Sequence, residues 1–81
     1  MKYYRASSCV HDVNELIPNN TYAICGIVGV FVGIKNDTVY WFSNPDGIEF
    51  FIEEYLLQDY MDNNMVNNIV KQIHPRKKYK N

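Results

Sequence analysis

Between residues 36 and 62 the sequence has no lysine or arginine, and between residues 63 and 81 it has no aspartate or glutamate. The first absence excludes a central helix that reads nucleic acid through a basic face. The second leaves the last stretch without an acid of its own to balance its cations. Cysteine is confined to Cys9 and Cys25, too few for a disulfide framework. Met1 is followed directly by Lys2, Tyr3, Tyr4 and Arg5 rather than by an apolar leader, so the expectation is a reduced, cytoplasmic chain. No long hydrophobic run occurs either. The longest, Tyr22 to Ile34, falls well short of the ~20 residues of a spanning helix, and no membrane partner is expected.

With 81 residues there is room for one core and no second domain. A large substrate cleft or a dinucleotide-binding fold is not expected at this size. Hydrophobic residues make up 47% of the chain, enough for it to fold rather than persist as a disordered tail. Ten asparagines, with many Ile, Tyr and Lys, give the composition typical of an AT-rich genome.

The net charge of -1 conceals a steep asymmetry. Lys2, Arg5 and Lys35 against Asp12 and Glu15 give the first 35 residues a small positive balance. Asp37, Asp46, Glu49, Glu53, Glu54, Asp59 and Asp62 then accumulate unopposed, and Lys71, Arg76, Lys77, Lys78 and Lys80 close the chain. Such a division predicts an acidic surface suited to a basic partner and a basic end suited to phosphate.

Residues 2–10 contain aromatics and no breaker, which fits a first strand. Asp12 is placed to cap a short helical turn, with Glu15 three residues later as its capping-box partner, before Pro18, Asn19 and Asn20 end it. From Thr21 to Ile34 apolar residues fill both alternate positions. One straight strand of that length would span ~45 Å, so a bend or break is expected at Gly26 or Gly29. Lys35 to Thr38 then separates Val30–Ile34 from Val39–Ser43 as an antiparallel hairpin.

Asn44, Pro45 and Asp46 read as a helix start, with Asn44 as N-cap and proline in the first turn. The spacing of Ile48, Phe51, Ile52, Tyr55 and Leu56 predicts a helix from Pro45 to about Gln58 with that stripe on the sheet. A second stripe of Phe50, Leu57 and Met61 lies nearly opposite. Asp62 or Asn63 is placed to cap a final helix whose apolar face is Met65, Val66, Ile69, Val70 and Ile73, stopped by His74 and Pro75. The resulting expectation is an α+β fold. A small antiparallel sheet of three to four strands in the N-terminal half is packed by two C-terminal helices, as one domain over residues 1–75 with a basic flexible tail over 76–81.

Ser7, Ser8, Cys9, His11 and Asp12 gather nucleophile, base and acid types within one short segment. Adjacent residues of an extended chain rarely reach triad geometry, however, so a surface turn is the better reading and no catalytic residue is assigned. Cys9, His11, Cys25 and His74 lack the paired spacing of zinc ligands, and no metal or cofactor is assigned. Gly29 and Gly33 are not followed by the Gly-Lys-Ser/Thr of a phosphate loop. They read as structural.

The expected function is non-enzymatic protein binding, in the manner of a small phage or mobile-element inhibitor of a host defence or nucleic-acid-processing protein. The partner-binding candidates are Asp37, Glu49, Glu53, Glu54, Asp59, Tyr60 and Asp62, facing a host protein with a basic surface. One alternative is a nucleic-acid-binding accessory protein using Arg76, Lys77, Lys78, Tyr79 and Lys80. Another is an oligomeric sponge binding a small ligand at tyrosine-lined interfaces. A homodimer would follow if an apolar stripe were left uncovered.

Overall fold

A computed structural model describes residues 8–64 and 69–73. In these, six strands form one antiparallel sheet: β1 (Ser8–Cys9), β2 (Thr21–Ile24), β3 (Ile27–Lys35), β4 (Val39–Ser43), β5 (Glu49–Glu53) and β6 (Val70–Ile73). Their spatial order is β1-β6-β2-β3-β4-β5. β1 has only two residues, so the body of the sheet is five strands. One α-helix, α1 (Glu54–Asp62), and a 3-10 turn (Val13–Glu15) complete the α+β arrangement.

The apolar run from Tyr22 to Ile34 is two strands. Cys25 and Gly26 have φ of 52° and 88°, the two left-handed positions of a two-residue hairpin turn between β2 and β3. Asn36 and Asp37, at φ 52° and 64°, turn β3 into β4, where short polar side chains tolerate this conformation. The antiparallel pairing of Val30–Ile34 with Val39–Ser43 is as expected, and a bulge between Phe31 and Gly33 turns Val32 out of the ladder. Asp12 caps the 3-10 turn by accepting the Asn14 amide at 2.7 Å, while Glu15 reaches the His11 amide, one residue earlier than the expected box.

The segment from Pro45 to Glu53 is not helical. Asn44 caps a reverse turn instead, its Oδ1 accepting the amides of Asp46 and Ile48 at 2.9 Å each, and Gly47 takes φ 85° to close it. Pro-Asp-Gly serves a hairpin turn as well as a helix start, and the aromatic and β-branched residues that follow favour the strand. Phe50 and Ile52 then point to the core side of β5, while Glu49, Phe51 and Glu53 alternate to the other face. Helix begins only at Glu54. The buried stripe is consequently the second one and not the one expected on the sheet: Leu57 is 0% and Met61 1% exposed, whereas Ile48 and Tyr55 are 63% and 67% exposed.

The expected final helix is also overturned in its described part, because Val70–Ile73 forms β6 between β1 and β2. Val, Ile and Gln satisfy a strand as readily as a helix, and here long-range pairing decides. The first strand's residues 2–7, the final helix's residues 65–68 and the tail lie outside the described residues.

The core occupies one face of the sheet, where Tyr22, Ile24, Phe31, Tyr40, Phe42 and Val70 meet Leu57 and Met61 of α1. Gly29 makes room there: a Cβ would come within 2.8 Å of Phe50 Cζ and 3.2 Å of Phe42 Cβ, so the Phe50 ring would have to shift. The absence of that Cβ lets Phe50 stack on Phe42 at 5.3 Å between ring centres. Gln58 anchors α1 to the 3-10 turn, accepting the Val13 amide and donating to the His11 carbonyl, both at 3.1 Å.

Candidate protein-binding edge

Strand β5 ends the sheet on one side; among the described residues none pairs with its outer edge. Asn44 N donates to Ile48 O at 2.8 Å, and Glu54 N donates to Thr38 O at 2.7 Å. These bonds lie at the two ends of the β4–β5 ladder. Hydrogen-bonded pairs alternate along an antiparallel ladder, so Phe50 and Ile52 turn their backbone groups to β4. Glu49, Phe51 and Glu53 therefore turn theirs outward.

The same three residues project their side chains onto the sheet face opposite the core, because directly paired residues share a face. Glu49 lies beside Ser43, Phe51 beside Trp41 and Glu53 beside Val39. Phe51 is 46% exposed and stacks on Trp41 with ring centres 6.0 Å apart. Lys35 Nζ lies 4.9 Å from the Trp41 ring and 5.2 Å from that of Phe51, within cation–π range of both. The Trp41 Nε1–H is buried and has no acceptor among the described residues. Glu49 and Glu53, about 13 Å apart at strand spacing, thus bracket an aromatic pair.

The other sequence candidates are dispersed. Asp37 is exposed at the β3–β4 turn, and Asp59 is exposed on α1. Asp62 accepts the Gln58 side chain at 3.0 Å, which directs it toward the 3-10 turn. Tyr60 is half-buried against the core and lines an apolar cleft of 280 Å³ with Ile24, Cys25, Ile27, Phe50 and Ile52. Glu54 is half-buried at the start of α1. Burial pushes the Tyr40 phenol above its usual range, and the negative charges of Glu54 and Asp12 push it further. Glu49 and Glu53 thus do not share one helix with Glu54 as expected, because the first two stand on a strand. Arg76, Lys77, Lys78, Tyr79 and Lys80 lie outside the described residues.

Phe51, Trp41 and Lys35 were not singled out from sequence. The signal that finds them is period-two alternation in Val39–Ser43 and Glu49–Glu53, which becomes visible once the Asn44–Gly47 segment is read as a turn. A shallow depression of 460 Å³ lined by Thr38, Glu53, Glu54, Tyr55 and Gln58 continues this surface past the end of β5.

The residues with catalytic types are occupied differently. The Asp12 carboxylate caps the 3-10 turn. Cys25 stands in a hairpin turn, and desolvation holds its thiol above the usual range, which reduces the reactive thiolate. No three His, Cys, Asp or Glu side chains among the described residues gather as a metal site, and no described helix is long and apolar enough to cross a membrane. Neither a protein-family model nor a curated protein nor a solved structure matches this chain.

Proposed function

We propose that this chain is a non-enzymatic protein-binding module whose docking surface is the β5 edge and the adjoining open sheet face, and whose partner presents a basic surface. One observation carries the reading: Glu49 and Glu53 bracket the exposed Phe51 on a strand that has no outer neighbour among the described residues. An aromatic anchor supplies contact area, and flanking charges supply orientation and partner choice. The finer form of the proposal is inhibition of a host defence or nucleic-acid-processing protein by occupying its basic groove.

The test compares the wild-type chain with the double reversal Glu49→Lys/Glu53→Lys as tagged baits in nuclease-treated host lysate. Both are first checked for equal thermal stability, since both side chains are exposed. The expected result is one protein held at fixed stoichiometry by the wild type and reduced at least tenfold on the variant. Equal retention on both baits removes this surface from the function.

A further inference from the structure

We infer that β5 recruits its partner by strand addition, accepting an extended segment with basic residues on either side of an apolar one. This rests on the proposed protein-binding role and specifies its chemistry. Three features of the edge converge on it. The backbone N–H and C=O groups of Glu49, Phe51 and Glu53 point away from β4, as the bonds at Ile48 and Glu54 require. Edge groups of this kind, which have no partner strand among the described residues, are a template for another strand. The side chains of the same residues stand on the open face, so an added antiparallel strand would place three of its own side chains directly beside them.

Charge then selects the occupant. In the register that pairs all of β5 with a second copy of itself, Glu49 of each chain would face Glu53 of the other, two like-charge contacts directly opposite one another. Self-association along the full edge is thereby disfavoured. A strand with Lys or Arg at positions i and i+4 and an apolar residue at i+2 reverses both contacts, and its central side chain lies against Phe51. At about 3.3 Å per residue the two cations are spaced like the two carboxylates.

The test uses the peptide acetyl-Thr-Lys-Thr-Val-Thr-Lys-Thr-amide, a control in which both lysines are glutamate, and backbone amide exchange of the full chain followed by NMR. The expected result is at least tenfold slower exchange at the Glu49, Phe51 and Glu53 amides with saturating lysine peptide, and no change with the control. The variant Phe51→Pro removes an outward donor without removing a β4 bond, so it should lower peptide affinity at least tenfold while the remaining spectrum is retained. If that variant fails to fold, the exchange pattern of the wild type decides alone. Peptide binding that Glu49→Lys/Glu53→Lys abolishes, with those three amides unprotected, overturns strand addition and leaves the acidic docking surface standing. Absence of peptide binding, alongside a lysate partner lost on the same reversal, has the same meaning. Protected amides with a lysate partner indifferent to the reversal would support strand addition but sink the proposed function.

Discussion

Asn64 holds the Val70 backbone from both sides: its Oδ1 accepts the Val70 amide at 2.6 Å and its Nδ2 donates to the Val70 carbonyl. The same Nδ2 donates to Val10 O at 2.7 Å, so one fully buried side chain joins the strand after the helix to the segment after β1. The backbone already joins the two segments once, Val10 N donating to Val70 O at 3.1 Å, and the Asn64 carboxamide bridges the Val70 amide and the Val10 carbonyl beside that bond.

Replacing Asn64 with alanine leaves the buried Val70 amide and Val10 carbonyl without these partners, while the Val70 carbonyl keeps the Val10 amide. The expected loss is about 2–3 kcal/mol, the cost of burying polar groups unpaired. Urea unfolding of Asn64→Ala measures it. A midpoint indistinguishable from wild type would show that water or a relaxed backbone replaces the bonds.

Gly29 and Phe50 form a second dependent pair across β3 and β5. A methyl group at Gly29 meets the far end of the Phe50 ring, so Gly29→Ala should destabilise by about 1–3 kcal/mol through displacement of that ring. Shortening the ring to Phe50→Leu in the same chain should recover part of the loss. A double-mutant cycle from thermal or urea unfolding gives the coupling, and strictly additive effects would show that the two sites do not touch.

The β3–β4 hairpin was legible, as was a break in the Thr21–Ile34 run though not its hairpin geometry, because each place carries one kind of signal. Asn36 and Asp37 stand between β-rich runs, and Gly26 interrupts a run too long for one strand. The segment from Asn44 to Glu53 carried two signals at once. Asn-Pro-Asp-Gly caps a helix or closes a turn, and Ile48, Phe51, Ile52 and Tyr55 match helical spacing, while Phe50 and Ile52 match strand alternation. Tertiary context settled it: Phe42 and Gly29 provide a place for Phe50 only if β5 pairs with β4. Val70–Ile73 is the same case at longer range, since its partners Thr21–Ile24 stand about fifty residues earlier. The candidate site followed the fold. Its acidic members were visible as residue types, but the grouping of Glu49 and Glu53 with Phe51 on a strand, apart from Tyr60 and Asp62 on the helix, depends on where β5 ends and α1 begins.

Tyr40 should make the protein sensitive to alkali. Its phenol is held neutral by burial first and by Glu54 and Asp12 second, so its folded pKa lies above its ordinary value near 10. The unfolded chain releases this proton more readily, so its contribution to stability is complete below that ordinary value and declines as pH rises through the folded pKa. Tyr40→Phe removes the titrating group, and the fall in its unfolding midpoint between pH 9 and pH 11 should be shallower than that of the wild type. Parallel curves for the two proteins would place the alkaline transition elsewhere.

Cys25 occupies a left-handed turn position that asparagine fits better. At φ 52° a residue with a Cβ and no local polar group is strained, and Asn-Gly is the favoured pair for a two-residue hairpin turn. Cys25→Asn should therefore stabilise the chain, by up to about 1 kcal/mol on the cost of the left-handed conformation. The backbone bond from the residue 25 amide to Ile69 O, 2.7 Å long, does not involve the side chain and should survive the change. Differential scanning calorimetry in reducing buffer provides the comparison, with a rise in Tm expected. A fall would mean that the apolar contacts of Cys25 in the cleft beside Ile27 and Tyr60 outweigh its backbone strain, and that the turn is held by its neighbours rather than by its own residues.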